Sequence, residues 1–155
     1  MLFRSLGVMA WSPLGSGVLT GKYTRADLDH SRDADAGVTG SRKSVAVGNG
    51  ALHARALDIA DVVAQIAKEQ GRSPAQIALA WLLHRHTPTV MPIIGARTFA
   101  QFEDNLGALD VALDSAALQR LDAVSAVTLG FPHDFMALPM TQGVLSGGAS
   151  VRRPA

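Results

Sequence analysis

The sequence predicts an α/β fold with parallel strands. Two short apolar runs, Gly7-Val8-Met9-Ala10-Trp11 and Val90-Met91-Pro92-Ile93-Ile94, each have the length of one buried strand. Between and after them lie segments with apolar residues at helical spacing. Each run is followed directly by a glycine-bearing segment, the usual place for a ligand-facing loop in such folds.

The first strand ends at Ser12-Pro13, where the character of the chain changes. Glycines recur from Gly15 to Gly50 among Ser, Asp and Arg, and no period persists. That stretch reads as one long, functional or disordered loop. From about Ala51, the residues Leu52, Ala56, Ile59, Val63 and Ile66 fall on one helical face, with Lys68 and Gly71 suited to its C-terminal end. Ser73-Pro74-Ala75-Gln76 opens a second helix: a cap, a proline at the first position and a glutamine able to reach back. Ile77–Leu83 is apolar almost all round, which predicts deep burial. Pro92 removes one ladder donor from the second strand. Thr98 to Gln101 forms another possible capping box, opening a helix to about Leu106. Asp114 caps a fourth helix with Leu118, Leu121 and Val124 on one face. Residues 126–155 read as an irregular tail. Two strands do not form an independently stable sheet, so the pattern reads as part of a larger one.

Composition narrows the function. The 155 residues are 48% apolar and 17% charged, with a formal charge of +1. A disordered chain is excluded, and no strong field favours a nucleic-acid partner. The absence of cysteine removes disulfides, thiolate metal ligands and a cysteine nucleophile. None of the five histidines has metal-site spacing, so no metal is expected. No run is long enough for a membrane span, and we expect a cytoplasmic protein without membrane association.

Two segments could carry chemistry. Gly15-Ser16-Gly17-Val18-Leu19-Thr20-Gly21-Lys22 follows a strand but matches neither phosphate-loop spacing. Its glycines let backbone N–H groups approach a phosphate, and Lys22 adds charge; from this stretch alone a plain flexible loop is the leading reading. Gly95-Ala96-Arg97-Thr98 lies between a strand and a helix N-terminus, where orphan N–H groups and a planar guanidinium suit an anion. Alone it also reads as a capped helix start with a solvated arginine.

Together these segments resemble aldo-keto reductases. Trp11-Ser12-Pro13-Leu14-Gly15-Ser16-Gly17-Val18-Leu19-Thr20-Gly21-Lys22-Tyr23 is similar to the segment after the seventh strand of that family's barrel. Ile93-Ile94-Gly95-Ala96-Arg97-Thr98, with Gln101 and Glu103-Asp104-Asn105-Leu106, is similar to the segment after the eighth. Ser73–Leu83 resembles the helix between, and the match runs from about Gly7 to Asp122 in order. The branch it most resembles contains bacterial general reductases and potassium-channel β-subunits.

The resemblance implies the C-terminal part of a (β/α)8 TIM barrel, incomplete, with about two barrel strands and four helices in residues 1–125. It implies NADP as cofactor and NADPH-dependent reduction of a small-molecule carbonyl substrate, an aldehyde or ketone. Trp11 would stack on the nicotinamide. Ser12, Pro13, Leu14, Gly15 and Ser16 would run under the pyrophosphate, with Lys22 and Arg32 reaching the phosphates. Gly95, Arg97 and Gln101 would hold the 2′-phosphate region, and Asp104 and Asn105 would contact adenine. The family's catalytic tetrad of Asp, Tyr, Lys and His precedes its seventh strand, and Tyr23 does not match the catalytic position. Such a barrel needs about 250 residues. The expectation is therefore a chain that carries most of the cofactor segments without the catalytic half, and no catalytic residue is assigned. The alternative is a non-catalytic cofactor-binding module resembling the channel β-subunits, or an inactive gene fragment. Gly130–Met136 lies where the family's tail can border the substrate pocket, or packs on the barrel's outside.

Overall fold

A computed structural model describes residues 7–28, 42–85, 89–147 and 149. It divides into two compact units, residues 1–125 and 126–155.

In the first unit the two apolar runs form strands β1 (Val8–Ala10) and β2 (Val90–Pro92). They pair in parallel, with Val8 opposite Val90, Met9 opposite Met91 and Ala10 opposite Pro92. Pro92 has no N–H to give, and Ile93 N donates to Ala10 O at 2.9 Å one residue later. A parallel pair needs a crossover of a dozen or more residues. Here the crossover holds the glycine segment and three helices: α1 (Arg42–Gly48), α2 (Ala54–Gln70) and α3 (Pro74–Leu83).

Helix α2 starts where His53 Nδ1 accepts from Ala56 N at 3.2 Å. It stops at Gly71, whose φ of 63° is costly for any residue with a β-carbon. Helix α3 begins with the reciprocal box its sequence predicts: Gln76 N donates to Ser73 Oγ, and Ser73 N donates to Gln76 Oε1, both at 3.2 Å. Its apolar circumference is used throughout. It touches β2, α2 and the next helix, α4 (Phe99–Leu106). Ile77 is fully buried, as is Ile66 of α2. Each such side chain contributes about 1.5–3 kcal/mol through burial. Helix α5 (Ser115–Ser125) closes this core with Ala117 and Leu121, and its first turn is capped by Asp114 Oδ1 accepting from Ala117 N at 2.7 Å.

Two expectations are corrected. The stretch read as one long loop contains α1, a fifth helix in residues 1–125 where four were expected. It is held by the completely buried Ala46, which packs with Val18, Leu52 and Leu57. A helix resting on one small buried side chain leaves no periodic pattern to read. The tail read as irregular contains α6 (His133–Ala137) and α7 (Pro139–Ser146). Pro139 sits at the first turn of α7 and Gly147 closes it at φ 55°, so start and stop signals were present without a clean apolar stripe between them.

The two-stranded sheet leaves large apolar side chains uncovered. Met9 is 70% and Trp11 80% exposed, and Met91 and Ile93 are also exposed. Among the described residues no helix is long and apolar enough to cross a membrane.

A candidate anion-binding cleft

The chain leaves β1 through an unusual backbone. Ser12 and Ser16 adopt φ of 54° and 55°, and Gly15 and Gly17 lie at 55° and 91°. A serine in this region costs about 1–3 kcal/mol and is found where surrounding contacts over-determine it. Here Ser16 N donates to Ser12 Oγ at 3.3 Å, Gly15 N to Ser12 O at 2.9 Å and Gly17 N to Leu14 O at 3.0 Å. The result is a short, broken 3-10 segment, Gly15–Thr20, packed against α1 and α2.

The segment forms one wall of a cleft of about 500 Å3. The facing walls come from the residues after β2, from the N-terminal end of α3 and from Gln101, Asp104 and Asn105 along α4. Ser12, Pro13, Leu14, Ser16, Lys22, Gly95, Arg97, Gln101, Asp104 and Asn105 all line it, so residues from both sequence segments converge. Gly17, Thr20, Ser73, Pro74, Ala75, Ile93 and Ile94 line it too and were not singled out as ligand contacts. The cap signature at Ser73 was legible, but nothing local says that a capped helix start faces a cleft 55 or so residues downstream of its opposite wall.

Two of the expected residues stand apart. Trp11 is exposed beside Ser12 and is not part of the lining. Gly15 faces the other side of the segment, where Pro13, Val18, Ile59, Trp81 and Leu121 help to line an apolar pocket of about 280 Å3. That lining has no charged side chain to meet an anion. Arg32 lies outside the described residues.

The polar groups of the cleft fall into two sets. One set is occupied within the protein. Asp104 accepts from Ser73 Oγ at 2.9 Å through Oδ2 and from Gln76 Nε2 at 3.1 Å through Oδ1, clamping α4 to the start of α3. Gln101 Oε1 accepts from Arg97 N at 3.0 Å, while Gln101 N donates to Thr98 Oγ1 at 3.2 Å. The expected capping box is thus half formed, and its glutamine fixes the backbone of Arg97 instead of that of Thr98. The other set has no acidic partner among the described residues. Among the described residues neither Lys22 nor Arg97 meets a carboxylate. Lys22 lies along Gly17, where a β-carbon would come within 2.8 Å of its Cε and Nζ, and its ammonium sits 5.0 Å from the Tyr23 ring centre. Asn105 is only 8% exposed, yet no partner for its amide is found among the described residues. Two exposed cations without an acidic partner among the described residues, and the Asn105 amide beside them, fit a ligand with separated anionic groups and a polar ring.

A family model described as "Aldo/keto reductase family" matches residues 3–126. A probable voltage-gated potassium channel subunit beta from Oryza sativa subsp. japonica is 37% identical over 123 residues, 77% of this chain and 35% of that protein. An uncharacterized oxidoreductase, YrpG, from Bacillus subtilis is 32% identical over 119 residues, again 77% of this chain and 32% of the relative. Norsolorinic acid reductase B from Dothistroma septosporum is 32% identical over 87 residues, 56% of this chain and 22% of the relative. The chain thus spans between about a fifth and a third of the length of these relatives. With a family match over most of its length, centred on the strands and helices that frame the cleft, the chain belongs to the aldo/keto reductase family.

Proposed function

We propose that the cleft binds NADPH as part of a reductase acting on aldehydes or ketones. The observation that carries this is the pair Lys22 and Arg97, two cationic side chains of the cleft with no acidic partner among the described residues. NADPH bears a diphosphate and a separate 2′-phosphate, which is the anion pattern two such groups would serve. Arg97 would pair with the 2′-phosphate through its planar fork, its backbone steadied by Gln101. Lys22 would meet the diphosphate, near the hydroxyls of Ser12 and Ser16. Asn105 offers a donor and an acceptor to the adenine edge, whereas both oxygens of Asp104 are already engaged. When bound, the nicotinamide supplies a hydride to a carbonyl carbon. The same cofactor reading holds for a non-catalytic module of the kind the channel-subunit relatives suggest.

Calorimetric titration with NADPH and NADH tests the reading. The chain is expected to prefer NADPH. Arg97→Ala should weaken NADPH roughly ten- to a hundred-fold, the equivalent of losing one charge-assisted contact of about 1.5–3 kcal/mol, and leave NADH nearly unchanged. Equal losses for both cofactors would remove Arg97 from the 2′-phosphate.

A further inference from the structure

We infer that Asn49, which lies outside the cleft lining, is a positioning residue that fixes the direction of the Ser16 hydroxyl, leaving its proton free for an anionic oxygen in the cleft. This rests on the reading of the cleft as a diphosphate site. Asn49 follows α1 directly, and its Oδ1 accepts from Ala51 N at 3.1 Å. A backbone N–H can only donate, so the carbonyl end of the amide faces Ala51 and the NH2 end faces Ser16. Asn49 Nδ2 accordingly donates to Ser16 Oγ at 2.9 Å. Ser16 is buried, lines the cleft and holds a left-handed backbone that needs an external restraint. Its Oγ receives a proton from Asn49 and keeps its own. Among the described residues no acceptor takes that proton. The contact spans 33 residues of sequence, tying the end of α1 to the glycine segment.

Two variants separate direction from mere anchoring. Asn49→Asp keeps the shape and the acceptor for Ala51 N, but its other oxygen can only accept, so Ser16 must turn its proton away from the cleft. Hydrogen exchange at the amides of Ser16 and Gly17 should stay as slow as in the parent chain, while NADPH and NADH both bind at least about ten-fold more weakly relative to the parent at low and at high salt alike; a loss that high salt abolishes is repulsion by the new carboxylate and overturns the inference. Asn49→Ala should weaken both cofactors and also speed exchange at Ser16 and Gly17, with α3 amides unchanged as the control for folding. An Asn49→Asp chain that binds both cofactors as tightly as the parent overturns the inference and leaves the proposed function standing. So does unchanged exchange in Asn49→Ala. A parent chain that binds neither cofactor overturns the reading of the cleft, and this inference with it.

Discussion

Lys43 Nζ donates to Asp27 Oδ1 at 2.7 Å, joining the first turn of α1 to the residues that follow the glycine segment. Thr24 adds two donors to the same carboxylate, its N at 2.8 Å and its Oγ1 at 2.9 Å, both to Oδ2. The lysine first, and then these threonine contacts, hold the Asp27 carboxyl at about 2, below its ordinary 3.8. A carboxylate depressed in the folded chain favours folding fully above the ordinary value, and that advantage disappears as pH falls through the folded one. The difference in melting temperature between the parent and Asp27→Asn should be constant above about pH 4 and close as pH approaches 2. A difference independent of pH across that range would show that the ion pair does not couple to folding.

Gly107 ends α4 with an ordinary helical φ of −57°, so its lack of a side chain has another cause. A β-carbon there would collide with the Gln76 amide and come within 3.1 Å of its Cδ. Gln76 is committed on both sides, to Ser73 N in the cap and to Asp104 O and Oδ1 across to α4. Gly107→Ala should therefore cost about 1–3 kcal/mol in denaturant unfolding. Gln76→Ala should cost a similar amount alone, and the double variant clearly less than the sum. Strict additivity would separate the two residues.

Tyr23 buries its hydroxyl oxygen with no partner among the described residues, in a cluster with Val18, Ala46, Leu52 and Leu57. An unpaired buried hydroxyl opposes folding, so Tyr23→Phe should be neutral or stabilising, by up to about 1 kcal/mol. The ring face that carries Lys22 remains, and cofactor affinity should not change. A loss of stability above about 1 kcal/mol would mean that the hydroxyl has a partner in the folded chain.

Much of this architecture was legible because its signals are local. The box at Ser73 and Gln76, the caps at Thr98 and Asp114 and the stop at Gly71 are each set by a few adjacent residues. The parallel pairing of β1 with β2 followed from alternation of strands and helices. What stayed hidden depends on distant partners. Asn49 is an unremarkable loop residue until α1 carries it to Ser16. His84 carries no local signal of its role, but its Nδ1 lies 2.8 Å from Ala80 O and its Nε2 accepts from Leu113 N at 3.4 Å, linking α3 to the residues before α5. Asp104, expected at adenine, has its oxygens turned to the start of α3, a contact set by tertiary packing between helices 31 residues apart.

The two tryptophans of the chain occupy opposite environments. Trp11 stands in solvent beside Ser12, whereas Trp81 is half-buried, donates through Nε1 to Asp122 Oδ1 at 2.8 Å and lies under the Arg85 guanidinium at 4.2 Å. Their fluorescence therefore comes from two separable sources. Acrylamide should quench Trp11 more readily than Trp81, so the more quenchable, red-shifted emission should report on the residue beside Ser12 and the less quenchable emission on the helices. The molecule thus carries one intrinsic optical label beside the glycine segment and one in its helical scaffold.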